Sequence, residues 1–96
     1  MNDILPGRIL KEIIIFAKKH NVQKITLFGS RAVGTNTDRS DIDIAVYGGD
    51  FDAFYWDIKE DTHSLLSFDV IDVDRGISDE LIQEIEQNGV IIYEKA

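Results

Sequence analysis

The chain has no cysteine and only one proline, Pro6. The first absence excludes disulfides and every thiolate metal site. With 44% apolar residues, the scarcity of proline reads as a compact globular chain rather than a disordered one. Basic residues are also few: ten Lys and Arg stand against 18 Asp and Glu, a net charge of −8. That balance disfavours attraction to nucleic acid or to an anionic membrane, and it favours a cationic partner or divalent metals. Long apolar runs are missing as well. The longest, Ile13 to Ala17, is far too short to span a bilayer. Met1-Asn2-Asp3 carries neither the basic start nor the long apolar run of a secretory signal, so the expected location is the cytoplasm. At 96 residues, one domain over 1–96 is expected, with little surface to spare for a separate substrate-binding module.

What the chain does contain is regular periodicity. Behind Pro6 and Gly7, the residues Ile9, Leu10, Ile13, Ile14, Phe16 and Ala17 recur at helical spacing. Lys18, Lys19 and His20 suit the negative end of that helix, and Asn21 is a natural stop. Lys24 to Phe28 is short and rich in strand formers, and Gly29 ends it. Ser30 to Val33 makes one helical turn closed by Gly34, and Thr35 to Ser40 is a polar loop. Asp41 to Tyr47 is a second strand, turned by Gly48-Gly49. A helix is expected over roughly 51–64, supported by Phe51, Phe54, Tyr55, Ile58, Leu65 and Leu66, and a third strand over Ser67 to Val73. Ser78 caps a last helix that ends at Asn88-Gly89, and Val90 to Tyr93 forms a final strand. The whole reads as an α/β or α+β domain: a small mixed sheet of about four strands with helices packed on one face.

One spacing carries chemistry. Gly29-Ser30 is followed by ten residues and then Asp41-Ile42-Asp43. Side chains two apart on a strand share a face, so Asp41 and Asp43 point the same way, with Cα atoms about 6.6 Å apart. Two parallel carboxylates repel, and a hard divalent cation relieves that repulsion. Mg²⁺ is typically held by one or two carboxylates plus phosphate oxygens. A third carboxylate is wanted. Asp69 and Asp72 lie three apart, on opposite faces of a regular strand, so only one can join the pair. With Phe68 and Val70 facing the core, that one is Asp69, placed to bind metal and to accept a proton from an attacking hydroxyl. Asp72 is then a strand-end or capping carboxylate. Gly29 lets a backbone approach a phosphate closely, Ser30 offers its hydroxyl, and the amides of the short helix point at the same anion. Arg31 is a second candidate phosphate contact. No Gly-Lys-Ser/Thr follows, and no Gly-x-Gly-x-x-Gly is present, so neither a Walker P-loop nor a dinucleotide fingerprint fits.

Gly29-Ser30-x10-Asp41-x-Asp43 resembles the signature of the DNA polymerase β-like nucleotidyltransferase superfamily. The small size resembles its minimal branch, the MNT proteins. The match is strong over Ile25 to Tyr47, weaker over Phe68 to Asp72, and elsewhere is confined to the order of elements. The resemblance implies a nucleotidyltransferase fold, two Mg²⁺ ions, and transfer of a nucleoside monophosphate from a triphosphate to a hydroxyl with loss of pyrophosphate. It implies that Gly29 and Ser30 hold the triphosphate, that Asp41 and Asp43 bind the metals, and that Asp69 binds a metal and assists the nucleophile. ATP as donor comes from the family, because no base-specificity determinant is visible. Many MNT proteins are antitoxins encoded beside a helical HEPN protein, and some resemble adenylyltransferases that attach AMP to a tyrosine of that partner. A HEPN-type protein acceptor, forming a hetero-oligomer with this chain, suits an acidic domain better than a nucleic-acid polymer does. The competing readings are an antitoxin that neutralises by contact alone, and nucleotidyl transfer to a small molecule such as an aminoglycoside.

Other residues carry bland expectations. His20 and His63 lack a Cys or His at ligand spacing and are not read as metal ligands. Tyr55, Trp56 and Tyr93 read as core or interface, and Asp50, Asp52, Asp57, Glu60 and Asp61 as a solvated helix face.

Overall fold

In the computed structural model, which describes residues 5–37, 40–61 and 66–96, the apolar stripe behind Pro6 forms helix α1, Gly7–Lys19. Ile9, Ile13 and Ala17 are its buried face. Asn21, just past the helix, takes φ 61°, a left-handed conformation that asparagine tolerates. Four strands make one mixed sheet in the order β3-β2-β1-β4: β1 Lys24–Phe28, β2 Ile42–Tyr47, β3 Phe68–Asp72 and β4 Val90–Glu94. β1 runs antiparallel to both β2 and β4, whereas β2 and β3 are parallel. The connecting helices are α2, Ser30–Val33; α3, Phe51–Asp61; and α4, Asp79–Asn88. The expected helix over 51–64 is described only to Asp61, and His63 and Leu65 lie outside the described residues. β2 begins at Ile42, one residue after Asp41, and Val73 leaves β3 to start a 3₁₀ turn, Val73–Arg75. Asp72 caps that turn by accepting the Asp74 amide and pairs with Arg75 Nε at 3.2 Å, the capping role its parity predicts. Among the described residues no helix is long and apolar enough to cross a membrane.

Strand alternation decides which helix covers which face. Ile25 and Leu27 of β1, Ile42, Ile44 and Val46 of β2, and Phe68 and Val70 of β3 point to one side. There they meet Ile9, Ile13 and Ala17 of α1 and Phe54 and Ile58 of α3 in the main core. The opposite side is not wholly polar. Phe28 and Ala45 are buried on it with Ile85 of α4, flanked by Tyr47, Ile71, Ile77 and Leu81. α4 therefore crosses to the face away from α1 and α3, where the sequence reading set every helix on one side. The reason lies in β1, which is buried in both phases: Ile25 and Leu27 serve one layer, Thr26 and Phe28 the other. The Ser78 hydroxyl fixes the start of α4 by accepting the Leu81 amide at 3.2 Å.

Two of the residues given bland expectations turn out to join distant elements. His20 Nε2 lies 2.5 Å from Asp57 Oδ2, and Lys19 Nζ lies 3.4 Å from the same oxygen, so the end of α1 is tied to α3. These partners, the His20 hydrogen bond first, hold the Asp57 carboxyl below its ordinary value despite an opposing effect of desolvation. An acid whose folded pKa is depressed adds stability above its unfolded pKa and loses it as pH falls through the folded value. Asp57→Asn is accordingly expected to melt below the wild type at pH 6. The gap should close as the pH is lowered beneath the ordinary carboxylate range, as followed by thermal melts across pH.

Candidate active site

The parallel register of β2 and β3 sets Asp43 directly opposite Asp69. Strands lie about 4.8 Å apart, so the two side chains rise as neighbours on one face, which is the face of Phe28 and Ala45. Asp41 lies one strand period ahead of Asp43, just before β2. Asp69 and Asp41 are exposed and Asp43 is half-buried. α4 covers Phe28 and Ala45 on this face. Burial, then the charges of Asp69 and Asp41, push the Asp43 carboxyl above its ordinary value. Asp43 thus feels both of the other acids.

The end of β1 brings the turn to them. Phe28 pairs with Asp43, which puts the next residue, Gly29, against the carboxylate. Gly29 has φ 76° and ψ −156°, a region essentially restricted to glycine. A Cβ built on it would stand 2.2 Å from Asp43 Oδ2. The sequence motif shows that this turn wants a glycine. The structure adds that the close approach at this glycine is made to Asp43. Ser30 follows at the start of α2, half-buried. The amides of Ala32 and Val33 both donate to the Gly29 carbonyl, at 3.1 and 3.3 Å. Those two amides are thus taken up within the turn.

Arg31 has a task that the sequence does not reveal. It is only 3% exposed, and its Nε and Nη2 donate to the Ser40 carbonyl at 3.1 and 3.0 Å. The position expected to be a phosphate contact thus bridges α2 to the residue before Asp41. Lys59 of α3 is the second such side chain, since its Nζ donates to the Phe68 carbonyl at 2.5 Å, one residue before Asp69. No local pattern marks either bond, because both partners lie nine residues away in the chain.

The donor set is all hard oxygen, which suits Mg²⁺. Among the described residues no three carboxylate or imidazole side chains are gathered into a ready-made cage for an ion. Mg²⁺ is typically held by one or two protein carboxylates, with the remaining ligands from water and substrate phosphates. The mutual repulsion at Asp43 is what a cation there would relieve.

The chain and its fold have known relatives. Residues 11–96 match the family described as Polymerase beta, Nucleotidyltransferase. The chain belongs to that nucleotidyltransferase family. No curated protein sequence matches it. Among solved structures, a toxin–antitoxin crystallised with AMP-PNP is similar, with TM-score 0.70 and 29% identity over 90% of this chain and 73% of that one. A variant of the toxin–antitoxin MntA–HpeT, with two aspartates two positions apart changed to glutamate, gives TM-score 0.69 and 27% identity, again over 90% and 73%. A second MntA–HpeT variant, with a tyrosine changed to alanine, gives 0.65 and 28% over 88% and 72%.

Proposed function

We propose that this protein moves AMP from ATP to a hydroxyl of a HEPN-type partner protein and thereby acts as its antitoxin in the cytoplasm. The observation that carries the reading is the pairing of Asp43 with Asp69 across β2 and β3, beside the Gly29-Ser30 turn and two residues after Asp41. The likeness to toxin–antitoxin structures, one of them holding AMP-PNP, supports the donor and the kind of partner. In this account Asp41 and Asp43 would hold two Mg²⁺ ions, with Asp69 as the third ligand, and the chemistry supplied there would be neutralisation of phosphate charge and activation of the oxygens of an in-line displacement. Ser30 donates its hydroxyl to a non-bridging oxygen of the triphosphate and keeps the chain of phosphates over the turn. Asp69 takes the proton from the acceptor hydroxyl. That oxygen then forms its bond to the α-phosphorus while the bond to pyrophosphate breaks. Positioning and charge neutralisation supply most of the rate, as in phosphoryl transfer generally.

The test is labelled ATP and Mg²⁺ with the helical protein encoded beside this chain, followed by intact mass. The partner is expected to gain one AMP and lose its toxicity, and the Asp41→Asn, Asp43→Asn double variant should do neither. Full neutralisation by that double variant, with no mass gained, would show instead an antitoxin that works by contact.

A further inference from the structure

We propose that Arg31 is a positioning residue: it fastens the loop entering Asp41 to the Gly29-Ser30 turn, fixing the metal-binding carboxylate relative to the triphosphate cradle without touching the nucleotide. The proposal rests on the nucleotide reading above. Arg31 follows Ser30 directly and rides on α2, so it moves with the turn. Two of its nitrogens converge on a single oxygen, the carbonyl of the residue that precedes Asp41. At 3% exposure the guanidinium is sealed from a ligand lying on the sheet surface. A charge that deep is stable only when hydrogen-bonded, and here its bonds define where the loop must end.

The rest of the loop fits the same purpose. Thr37 N donates to Ser40 Oγ at 2.9 Å and Ser40 N to the Thr37 carbonyl at 3.2 Å, so Ser40 is also held from Thr37. On the other side of Asp41, Ile42 N donates to the Ser67 carbonyl at 2.9 Å. Asp41 is therefore clamped between an anchor to α2 and an anchor to the start of β3. Lys59 repeats the device at the third carboxylate, gripping the carbonyl just before Asp69. In both cases a cation braces the backbone one residue upstream of the acid. A cation bonded to the carboxylate would instead compete with the metal.

The test uses the full chain with Arg31→Gln and Arg31→Lys. In the metal-free protein, amide hydrogen exchange at residues 40–42 should quicken roughly tenfold to a hundredfold in Arg31→Gln, the range for losing a charged hydrogen bond. Exchange in α1 and β4 should not change. Titration with AMP-PNP should show the Mn²⁺-dependent affinity of Arg31→Gln weakened about tenfold to a hundredfold, as for loss of a group that orients a metal ligand. Its affinity without metal should equal that of the wild type. Arg31→Lys, which can still donate to the Ser40 carbonyl, should recover part of both, and it carries both readouts should Arg31→Gln fail to fold. Unchanged exchange at 40–42 with weaker metal-free AMP-PNP binding would overturn the proposal and make Arg31 a phosphate contact. A wild type that itself binds no AMP-PNP would overturn the nucleotide reading and this proposal together, and it would show in the first titration.

Discussion

Replacing Asp43 by asparagine is expected to abolish nucleotidyl transfer and, at the same time, to raise the melting temperature of the metal-free protein. The first effect follows from the site. Asp43 is the half-buried member of the acidic trio, pressed between Gly29 and Asp69. Loss of a metal-binding carboxylate removes about 4 kcal/mol of transition-state stabilisation, roughly a thousandfold in rate. The second effect follows from the charge. The Asp43 carboxyl is held above its ordinary value by burial and by Asp69 and Asp41. An acid with a raised folded pKa opposes folding once ionised: the penalty is absent below the unfolded pKa and complete above the folded one. Asparagine removes it at neutral pH. Each 1 kcal/mol corresponds to about 4–8 °C in a domain of this size, and solvent screening at a half-exposed site keeps the gain to the low end or below. With Mg²⁺ and AMP-PNP the order should reverse, because only the wild type gains stability by binding. Thermal melts with and without ligand check both halves. A variant less stable than the wild type without metal would contradict the electrostatic account.

Gly29→Ala carries the other large effect, and its cause is steric. The backbone at Gly29 lies where only glycine is comfortable, a strain of about 1–3 kcal/mol for any other residue. The new methyl would also stand 2.2 Å from Asp43 Oδ2. The carboxylate can swing aside, but it then leaves the position its chemistry needs. A displacement of about 1 Å at a reacting centre costs about a hundredfold in rate. Gly34→Ala is the control. Gly34 also has positive φ, 83°, yet nothing lies within 4 Å of its added Cβ. It should lose about 1–2 kcal/mol of stability and keep its activity. Equal activity in the two variants at matched fraction folded would show that the Gly29–Asp43 approach does not matter.

The parts of this molecule that rest on local pattern were legible in the sequence. Helical spacing gave α1, and the apolar runs gave the four strands within a residue or two. The parity argument at Asp69 and Asp72 assigned each to its face before any coordinates, because a strand of period two leaves no third option. What stayed hidden depends on partners far along the chain. The face chosen by α4 follows from β1 being buried in both phases, which a short run such as Lys24 to Phe28, with Lys24 and Thr26 in the second phase, does not betray. The His20–Asp57 link spans 37 positions. Arginine is a surface residue by default, and the bonds that Arg31 makes as an interior one reach the Ser40 carbonyl, nine positions along the chain.

Titration calorimetry with AMP-PNP and Mg²⁺ on the wild type and on the Asp41→Asn, Asp43→Asn double variant tests the central assignment most directly. Magnesium-dependent binding by the wild type, lost in the double variant, is the predicted result. Equal binding by both, or none by the wild type, would contradict the assignment of these carboxylates to a nucleotidyl-transfer site.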